Sequence, residues 1–302
     1  MREVVIKIED LHKKYRLGAI GGGTLTADLQ SWWAKVRGKE DPNTKIGAKT
    51  YSKNETFMAL NGVDLQINKG DTIGIIGGNG AGKSTLFNLI SGYFLSDEGR
   101  ILLDGQDITF MPEYKRARYI GRLFQDPLKG TAPSMTIEEN LALSYSRSQS
   151  KLISLGIRKK DKDLFRERLA QLDLGLENRM KTKMGLLSGG QRQAVTLLMS
   201  TLVVPKVLLL DEHTAALDPA TADKVLRITK EIVAEKNITT MMITHNIQSA
   251  LDLGNRTMMM DSGKVILDIK GKERSQLTVQ DLLNLFKKES HKALDNDRIL
   301  LS

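Results

Sequence analysis

Gly77-Gly78-Asn79-Gly80-Ala81-Gly82-Lys83-Ser84-Thr85 is the stretch on which the reading of this 302-residue chain turns. Gly77, four residues, Gly82, Lys83 and Ser84 make the phosphate-loop pattern, which gains meaning only when an apolar strand precedes it and a helix follows. Both are present. Thr72 to Ile76 is an almost wholly apolar run, as in a buried parallel strand, and Lys83 to Ser91 carries Leu86, Leu89 and Ile90 at helical spacing before Gly92. Glycines let backbone N–H groups crowd a phosphate, and the start of the 83–91 helix adds unpaired donors and a favourable dipole. Lys83 is expected to bridge the outer phosphates and Ser84 to hold Mg²⁺. A second glycine run, Gly21-Gly22-Gly23, lacks both the lysine and the preceding strand, and reads as a flexible turn.

Downstream, Val207-Leu208-Leu209-Leu210-Asp211-Glu212 is an apolar strand delivering two carboxylates at its C-terminal end, where ligands of parallel sheets gather. Strand alternation is expected to point them apart, Asp211 toward Mg²⁺, directly or through water, and Glu212 toward an attacking water. The helical pattern Ala220 to Glu235 and the apolar strand 238–243 follow, so strand and helix alternate as in a parallel α/β sheet with right-handed crossovers. Residues 3–8 and Leu65 to Ile67 read as two earlier strands. Between them, 17–56 reads as an insertion, with paired Trp32-Trp33 and Asp41-Pro42. Residues 127–186 are polar and helix-forming, and are expected to make a helical subdomain; 277–288 is expected to be an amphipathic helix within a tail, 271–302.

Length allows one large domain or two modest ones, and a single domain spanning 1–302 is the expectation adopted. Hydrophobic residues at 40% and charged residues at 27% are ordinary for a folded globular chain. No apolar run reaches the roughly 18–20 residues of a membrane span; the best, Val203 to Leu210, is broken by Pro205 and Lys206. The N-terminus lacks the apolar core of a secretory signal and the chain has no cysteine, so a cytoplasmic location is expected and the sequons at Asn54 and Asn237 read as accidents. The formal charge of +9 is scattered, apart from Arg158-Lys159-Lys160 and Lys287-Lys288, and reads as solvated surface rather than a nucleic-acid footprint.

Leu187-Ser188-Gly189-Gly190-Gln191 lies 105 residues after Lys83 and about 20 before the carboxylate pair, with a helical run beginning at Gln191. In this order the motifs closely resemble the ATP-binding subunits of ABC transporters, whose signature motif is that pentapeptide, over roughly 3–16 and 57–270. The resemblance implies a phosphate-loop NTPase with a mixed, mainly parallel sheet core, an N-terminal antiparallel β subdomain and an inserted helical subdomain that docks the membrane subunit. It implies that Gly77 to Thr85, Lys83 and Ser84 among them, bind ATP, and that Ser84, Gln125 and Asp211 hold Mg²⁺. Gln125, in Leu123-Phe124-Gln125-Asp126-Pro127, matches the Q-loop glutamine that senses the membrane partner. Glu212 matches the catalytic base, Asp218 in Ala216-Leu217-Asp218 the D-loop, and His245 in Ile243-Thr244-His245-Asn246 the switch histidine at the γ-phosphate. Tyr15 is placed like the aromatic residue on which adenine stacks. Ser188, Gly189, Gly190 and Gln191 would complete the site of a second copy in a head-to-tail homodimer, peripheral on the inner face of the membrane.

Two positions depart from the family pattern: His213 stands where most relatives have proline, and Gly78 replaces the usual proline or serine; neither removes a catalytic group. Residues 121–283 resemble the ATPase of bacterial aromatic amino acid importers, notably in Gly130-Thr131-Ala132-Pro133-Ser134-Met135-Thr136 and Asp211-Glu212-His213-Thr214. Residues 12–60, above all Trp32 to Asn43, resemble ATPases that export O-antigen or other polysaccharide. Import is the preferred reading, because the subdomain that docks the membrane subunits lies in the importer-like part; separate permease subunits and an extracytoplasmic substrate-binding protein would then be partners. A soluble ABC ATPase of DNA repair or the ribosome is disfavoured, since the chain has neither an inserted coiled coil nor a second ATPase domain, and no nucleic-acid partner is expected.

Overall fold

The computed structural model describes residues 3–16, 56–146 and 157–290. The insertion expected at 17–56 therefore lies outside the described residues apart from Thr56, as does the end of the tail beyond 290. Two long strands, β1 (Val4–Arg16) and β2 (Thr56–Asn68), pair antiparallel, with irregular register at several points. β3 (Thr72–Ile76) is buried throughout and leads through the glycine loop into α1 (Lys83–Ser91), whose bounds match the sequence reading residue for residue. The chain then returns in β4 (Glu98–Leu103) and β5 (Gln106–Asp107), completing an antiparallel sheet in the order β2-β1-β4-β5. The antiparallel subdomain is thus present, with half its strands drawn from beyond the loop.

A short α2 (Glu113–Arg116) precedes β6 (Ile120–Leu123), and the helical subdomain follows as α3 (Ile137–Ser146), α4 (Lys159–Ala170) and two 3-10 turns, Leu176–Asn178 and Met184–Leu186. The chain re-enters the second sheet through α5 (Gly189–Thr201), β7 (Val207–Asp211), α6 (Pro219–Glu235), β8 (Thr239–Ile243), α7 (Ile247–Leu253), β9 (Arg256–Asp261) and β10 (Lys264–Lys270). α8 (Gly271–Ser275) and α9 (Val279–Ser290) close the described chain. Strand order is β10-β9-β3-β8-β7-β6, parallel except for β10 on its edge. Among the described residues no helix is long and apolar enough to cross a membrane.

The parallel sheet divides two apolar cores, and the period-2 rule shows which face each residue serves. Along β7, Val207 and Leu209 join one core with Leu86 and Phe87 of α1 and the inner face of the antiparallel sheet; Leu208 and Leu210 join the other with α3, α4 and α5. The phosphate-loop helix and the helical subdomain therefore lie on opposite faces of the sheet. A third cluster packs α7 and α9 on Ile76 and Met259. The two sheets are tied by Arg256, 3% exposed, which grips both carboxylate oxygens of Asp268 at 2.7 and 2.6 Å and donates to the Gln66 carbonyl at 2.7 Å and to Asp71 at 3.3 Å. Its carbons are desolvated by burial, yet the two carboxylates outweigh that cost and hold the guanidinium above its ordinary pKa.

Candidate nucleotide site

The phosphate loop begins where β3 ends. Gly82 is the N-cap of α1 at φ 100°, a left-handed conformation that side chains rarely adopt, and a Cβ there would stand 2.5 Å from the Ala59 carbonyl. No side chain caps the helix and no acid occupies its first turn; the first helical bond runs from the Leu86 N–H to the Gly82 carbonyl at 2.9 Å. The N–H groups of Lys83, Ser84 and Thr85 are thus the helix's own orphan donors, the arrangement that receives an anion. Gly77 is buried, Gly78 half-buried, and Asn79 and Gly80 are exposed, so the loop opens outward at its tip; the Ala81 N–H closes it on the Gly78 carbonyl at 3.1 Å. Lys83 is 6% exposed and its Nζ donates to the carbonyls of Gly77 at 2.7 Å and Gly78 at 3.0 Å. Burial lowers its pKa, opposed by the charges of Glu212 and Asp211, which places both carboxylates within its electrostatic reach.

Asp211 ends β7 on the α1 side of the sheet, as alternation from Val207 and Leu209 requires. Burial raises its pKa, against the hydrogen bond and charge of Arg122, whose Nη2 donates to Oδ2 at 3.1 Å. Glu212 is placed otherwise than strand alternation requires. Glu212 does not continue the strand; it turns at φ 47°, while its N–H still donates to the Ile243 carbonyl at 3.0 Å. A positive φ on a glutamate costs on the order of 1 kcal/mol or more and recurs at functional sites. The turn brings Glu212 Oε1 to 2.6 Å from His245 Nε2, just past β8. An ionised carboxylate is acceptor only, so His245 Nε2 carries the proton in this pair.

His213, next in sequence, turns away from the site. It is 2% exposed, with Nε2 3.3 Å from Thr229 Oγ1, and that hydroxyl donates onward to the Val225 carbonyl at 2.8 Å. Burial pushes its pKa down to about 4, so it is a neutral core residue against α6. Gln125 is exposed beyond β6, and Ser84 is exposed on the first turn of α1. Tyr15, half-buried on β1, meets Phe94 edge-on at 6.0 Å, with Lys13 Nζ 5.8 Å from its ring centre. Among the described residues no three His, Cys, Asp or Glu side chains gather as a metal cage. The available donors, the Ser84 hydroxyl and the Asp211 carboxylate, are hard oxygens of the kind that bind Mg²⁺ one or two at a time alongside water and phosphate.

The signature segment is elsewhere. Ser188 caps α5, accepting from the Gln191 N–H at 3.3 Å while Gln191 Oε1 accepts from the Ser188 N–H at 3.2 Å, a reciprocal capping box that places the helix start at Gly189 rather than Gln191. Asp218 caps α6 by a single bond, accepting from the Thr221 N–H at 3.1 Å; bonds from the Thr221 side chain and backbone hold its carboxyl below the usual range. Leu187 belongs to the core on the helical face and Ala81 to the core on the α1 face, so the structure brings Lys83, Asp211, Glu212 and His245 together and leaves Ser188 to Gln191 outside that group.

One residue at the site went unread in the sequence: Arg122. An arginine inside the short strand Ile120-Gly121-Arg122-Leu123 was the available signal, because a buried arginine requires an acceptor.

The sequence matches the family model described as ABC transporter over residues 60–215. A tyrosine transport ATP-binding protein from Clostridioides difficile is 47% identical over 224 residues, covering 74% of this chain and 89% of that protein. A xylose/arabinose import ATP-binding protein, XylG, of Sulfolobus acidocaldarius is 34% identical over 233 residues, 76% of this chain and 88% of that one. Among solved structures, the dimeric post-hydrolysis state of the ATP-binding cassette MJ0796 bound to ADP and Pi has a TM-score of 0.66 at 26% identity, covering 88% of this chain and 98% of that chain. These relatives give no support to the export resemblance of residues 12–60.

Proposed function

The chain belongs to the ABC transporter family as an ATP-binding, ATP-hydrolysing subunit, and from that premise we propose that it powers import of an amino acid or similar small solute through separate membrane subunits. What supports an amino acid is the 47% identity to a tyrosine transport ATP-binding protein across most of that protein's length, and what supports import is the 34% identity to the xylose/arabinose import ATP-binding protein. What supports hydrolysis at this site is the Glu212–His245 contact of 2.6 Å beside Asp211, the two carboxylates lying within the electrostatic reach of Lys83.

In this reading the free N–H groups at the start of α1 and the Lys83 ammonium bind the phosphates of ATP, with Lys83 exchanging the Gly77 and Gly78 carbonyls for phosphate oxygens. Ser84, Asp211 and Gln125 would hold Mg²⁺, which when bound neutralises charge on the phosphates. Glu212 orients and polarises the attacking water, and its carboxylate is fixed for that task by the His245 N–H. Tyr15 stacks on the adenine. Ser188, Gly189, Gly190 and Gln191, with Asp218 nearby, serve the γ-phosphate of a second copy in a head-to-tail pair, so that hydrolysis opens and closes the pair. The helical subdomain, 127–186, docks the membrane subunits at the inner face of the membrane; an extracytoplasmic binding protein would deliver the solute.

Glu212→Gln should leave ATP binding intact, abolish turnover and accumulate a stable dimer by size-exclusion chromatography with ATP. Lys83→Ala should instead weaken ATP binding itself. Undiminished turnover in Glu212→Gln sinks its assignment as base, and co-purification with an exporter instead of an importer permease sinks the import reading.

A further inference from the structure

Arg122 is held in an arrangement that the proposed reaction does not use. It lies on the α1 face of β6, paired in parallel register with Leu209 of β7, two residues before Asp211. Its side chain is 11% exposed and that of Asp211 15%. Nη2 donates to Asp211 Oδ2 at 3.1 Å, Nη1 donates to the hydroxyl of Ser91, the last residue of α1, at 3.0 Å, and the guanidinium carbon sits 4.6 Å from the ring centre of Phe124. Nε is buried without an acceptor. The guanidinium is therefore gripped on two edges and one face, and left unsatisfied on the third edge.

This arrangement occupies Oδ2, one of the two carboxylate oxygens that the metal role of Asp211 would draw on. A carboxylate oxygen in a charge-assisted bond to a guanidinium cannot face a divalent cation without bringing two positive charges together in a poorly solvated site. The pair is also incompletely satisfied, because the Arg122 Nε stays buried without a partner while the bond to Asp211 is made, a cost of about 1–3 kcal/mol. Arg122 would not be stranded on release: the Ser91 hydroxyl and the Phe124 ring remain. Phe124 also directly precedes Gln125, so the residue that retains the guanidinium belongs to the segment proposed to answer the membrane partner.

We infer that Arg122 is a positioning residue, the counter-ion that Asp211 exchanges for Mg²⁺ as the metal–nucleotide complex binds. Before binding it keeps the Asp211 carboxylate aimed; on binding it yields that carboxylate and stays on Ser91 and Phe124. The ion pair then stabilises the metal-free protein and opposes metal-dependent binding by the same free energy, since a ligand shifts an equilibrium only by its differential affinity for the two states. The inference rests on the proposed role of Asp211 and adds the competitor for it.

The test compares binding of ADP by calorimetry with Mg²⁺ and with EDTA, and melting temperature under both conditions, in the wild type, Arg122→Met, Asp211→Asn and the double variant. Arg122→Met should leave ADP affinity in EDTA unchanged and bind Mg²⁺·ADP roughly tenfold more tightly, the fold-change given by a coupling of about 1.4 kcal/mol. Its melting temperature should fall in EDTA and recover toward wild type with saturating Mg²⁺·ADP. In the Asp211→Asn background, Arg122→Met should change neither. A strut of the fold would lower the melting temperature equally in both conditions and leave the Mg²⁺ dependence where it was, or weaken it, and either result overturns the inference. If Arg122→Met does not fold, Arg122→Gln, which keeps a donor for Ser91, carries the same comparison. An Asp211→Asn protein with undiminished Mg²⁺ dependence removes the functional reading itself; a lost dependence there with no gain in Arg122→Met removes only the role of Arg122.

Discussion

Replacing Arg116 by methionine should cost about 3 kcal/mol of stability. Arg116 closes α2 and is 1% exposed, with every donor edge on backbone: Nε to the Met111 carbonyl at 2.7 Å, Nη1 to the Leu89 and Ile90 carbonyls at 2.6 and 3.0 Å, and Nη2 to the Thr109 carbonyl at 2.8 Å. Burial pulls the guanidinium down to about 10, so it remains fully charged at neutral pH. Leu89 and Ile90 lie in the last turn of α1, whose first turn is proposed to receive the phosphates, so one side chain anchors the far end of that helix to the loop before β6.

Methionine keeps an unbranched chain of similar length and deletes all the donors. The Leu89 carbonyl retains the Gly92 N–H at 3.3 Å; those of Met111, Ile90 and Thr109 are left with none that the structure shows. Three buried carbonyls at about 1–3 kcal/mol each give a gross loss of about 3–9 kcal/mol, and relief from burying a charge plus entry of water return part of it. A net loss near 3 kcal/mol is a large share of the 5–15 kcal/mol typical of a domain. Urea denaturation followed by circular dichroism at pH 7.5 should show a lower midpoint with an unchanged slope. Arg116→Lys, a point charge with three donors, should recover only part of the loss. A loss under about 1 kcal/mol for Arg116→Met would refute the argument that these four bonds are the purpose of the buried charge.

Two further outcomes follow from single contacts. His213 is neutral in the fold with a pKa near 4 against 6.5 in the open chain, so the unfolded state takes up more protons: its contribution is full above about pH 6.5 and is lost progressively down to pH 4, about 3 kcal/mol in all. His213→Gln should flatten the stability–pH curve relative to wild type over that range, and parallel curves would exclude the mechanism. Gly190 sits against Thr221 on α6, where any Cβ would overlap the Thr221 methyl. Gly190→Ala should displace the start of α5 and cost about 1–3 kcal/mol, reduce turnover at least tenfold, and leave ATP binding by the isolated subunit close to wild type, all readable from melting curves, a phosphate-release assay and calorimetry.

The nucleotide side of the fold was legible because its signals are local. β3 and α1 announce themselves by an unbroken apolar run and helical spacing on either side of the glycines, and the structure returns the same bounds. β6 stayed hidden because it is four residues long and contains Gly121 and Arg122, and β4, β9 and β10 because they mix apolar with charged positions that only pairing explains. Arg122 and Arg116 share that limit: an arginine's acceptors lie 89 and 27 residues away in sequence, and no spacing rule reaches them. Strand alternation, from which Asp211 and Glu212 are expected to diverge, does not extend past Asp211. Alternation would have sent Glu212 to the helical face of the sheet; its left-handed turn sends it to His245 instead.

That turn and the two cores together bear on the proposal that a second copy completes the site. Residues on the α1 face, Lys83, Arg122 and Asp211, share a surface with the antiparallel sheet, while α5, which begins at the signature, is packed on the core across the parallel sheet. Rotating α5 cannot carry Ser188 around the sheet edge without giving up Ala194, Val195, Leu197 and Leu198, each nearly or fully buried, at about 1.5–3 kcal/mol for each large aliphatic side chain. The reciprocal cap between Ser188 and Gln191 and the packing of Gly190 on Thr221 further fix the segment, with Ser188 exposed at its start and Gly190 buried. A preformed donor surface that its own chain cannot use is the physical ground for proposing that a second copy supplies the other half. The expected isolated-subunit behaviour is then second-order in protein concentration for turnover and first-order for ATP binding; turnover per subunit that is independent of concentration well below the dimerisation range would show that Lys83, Glu212 and His245 suffice alone.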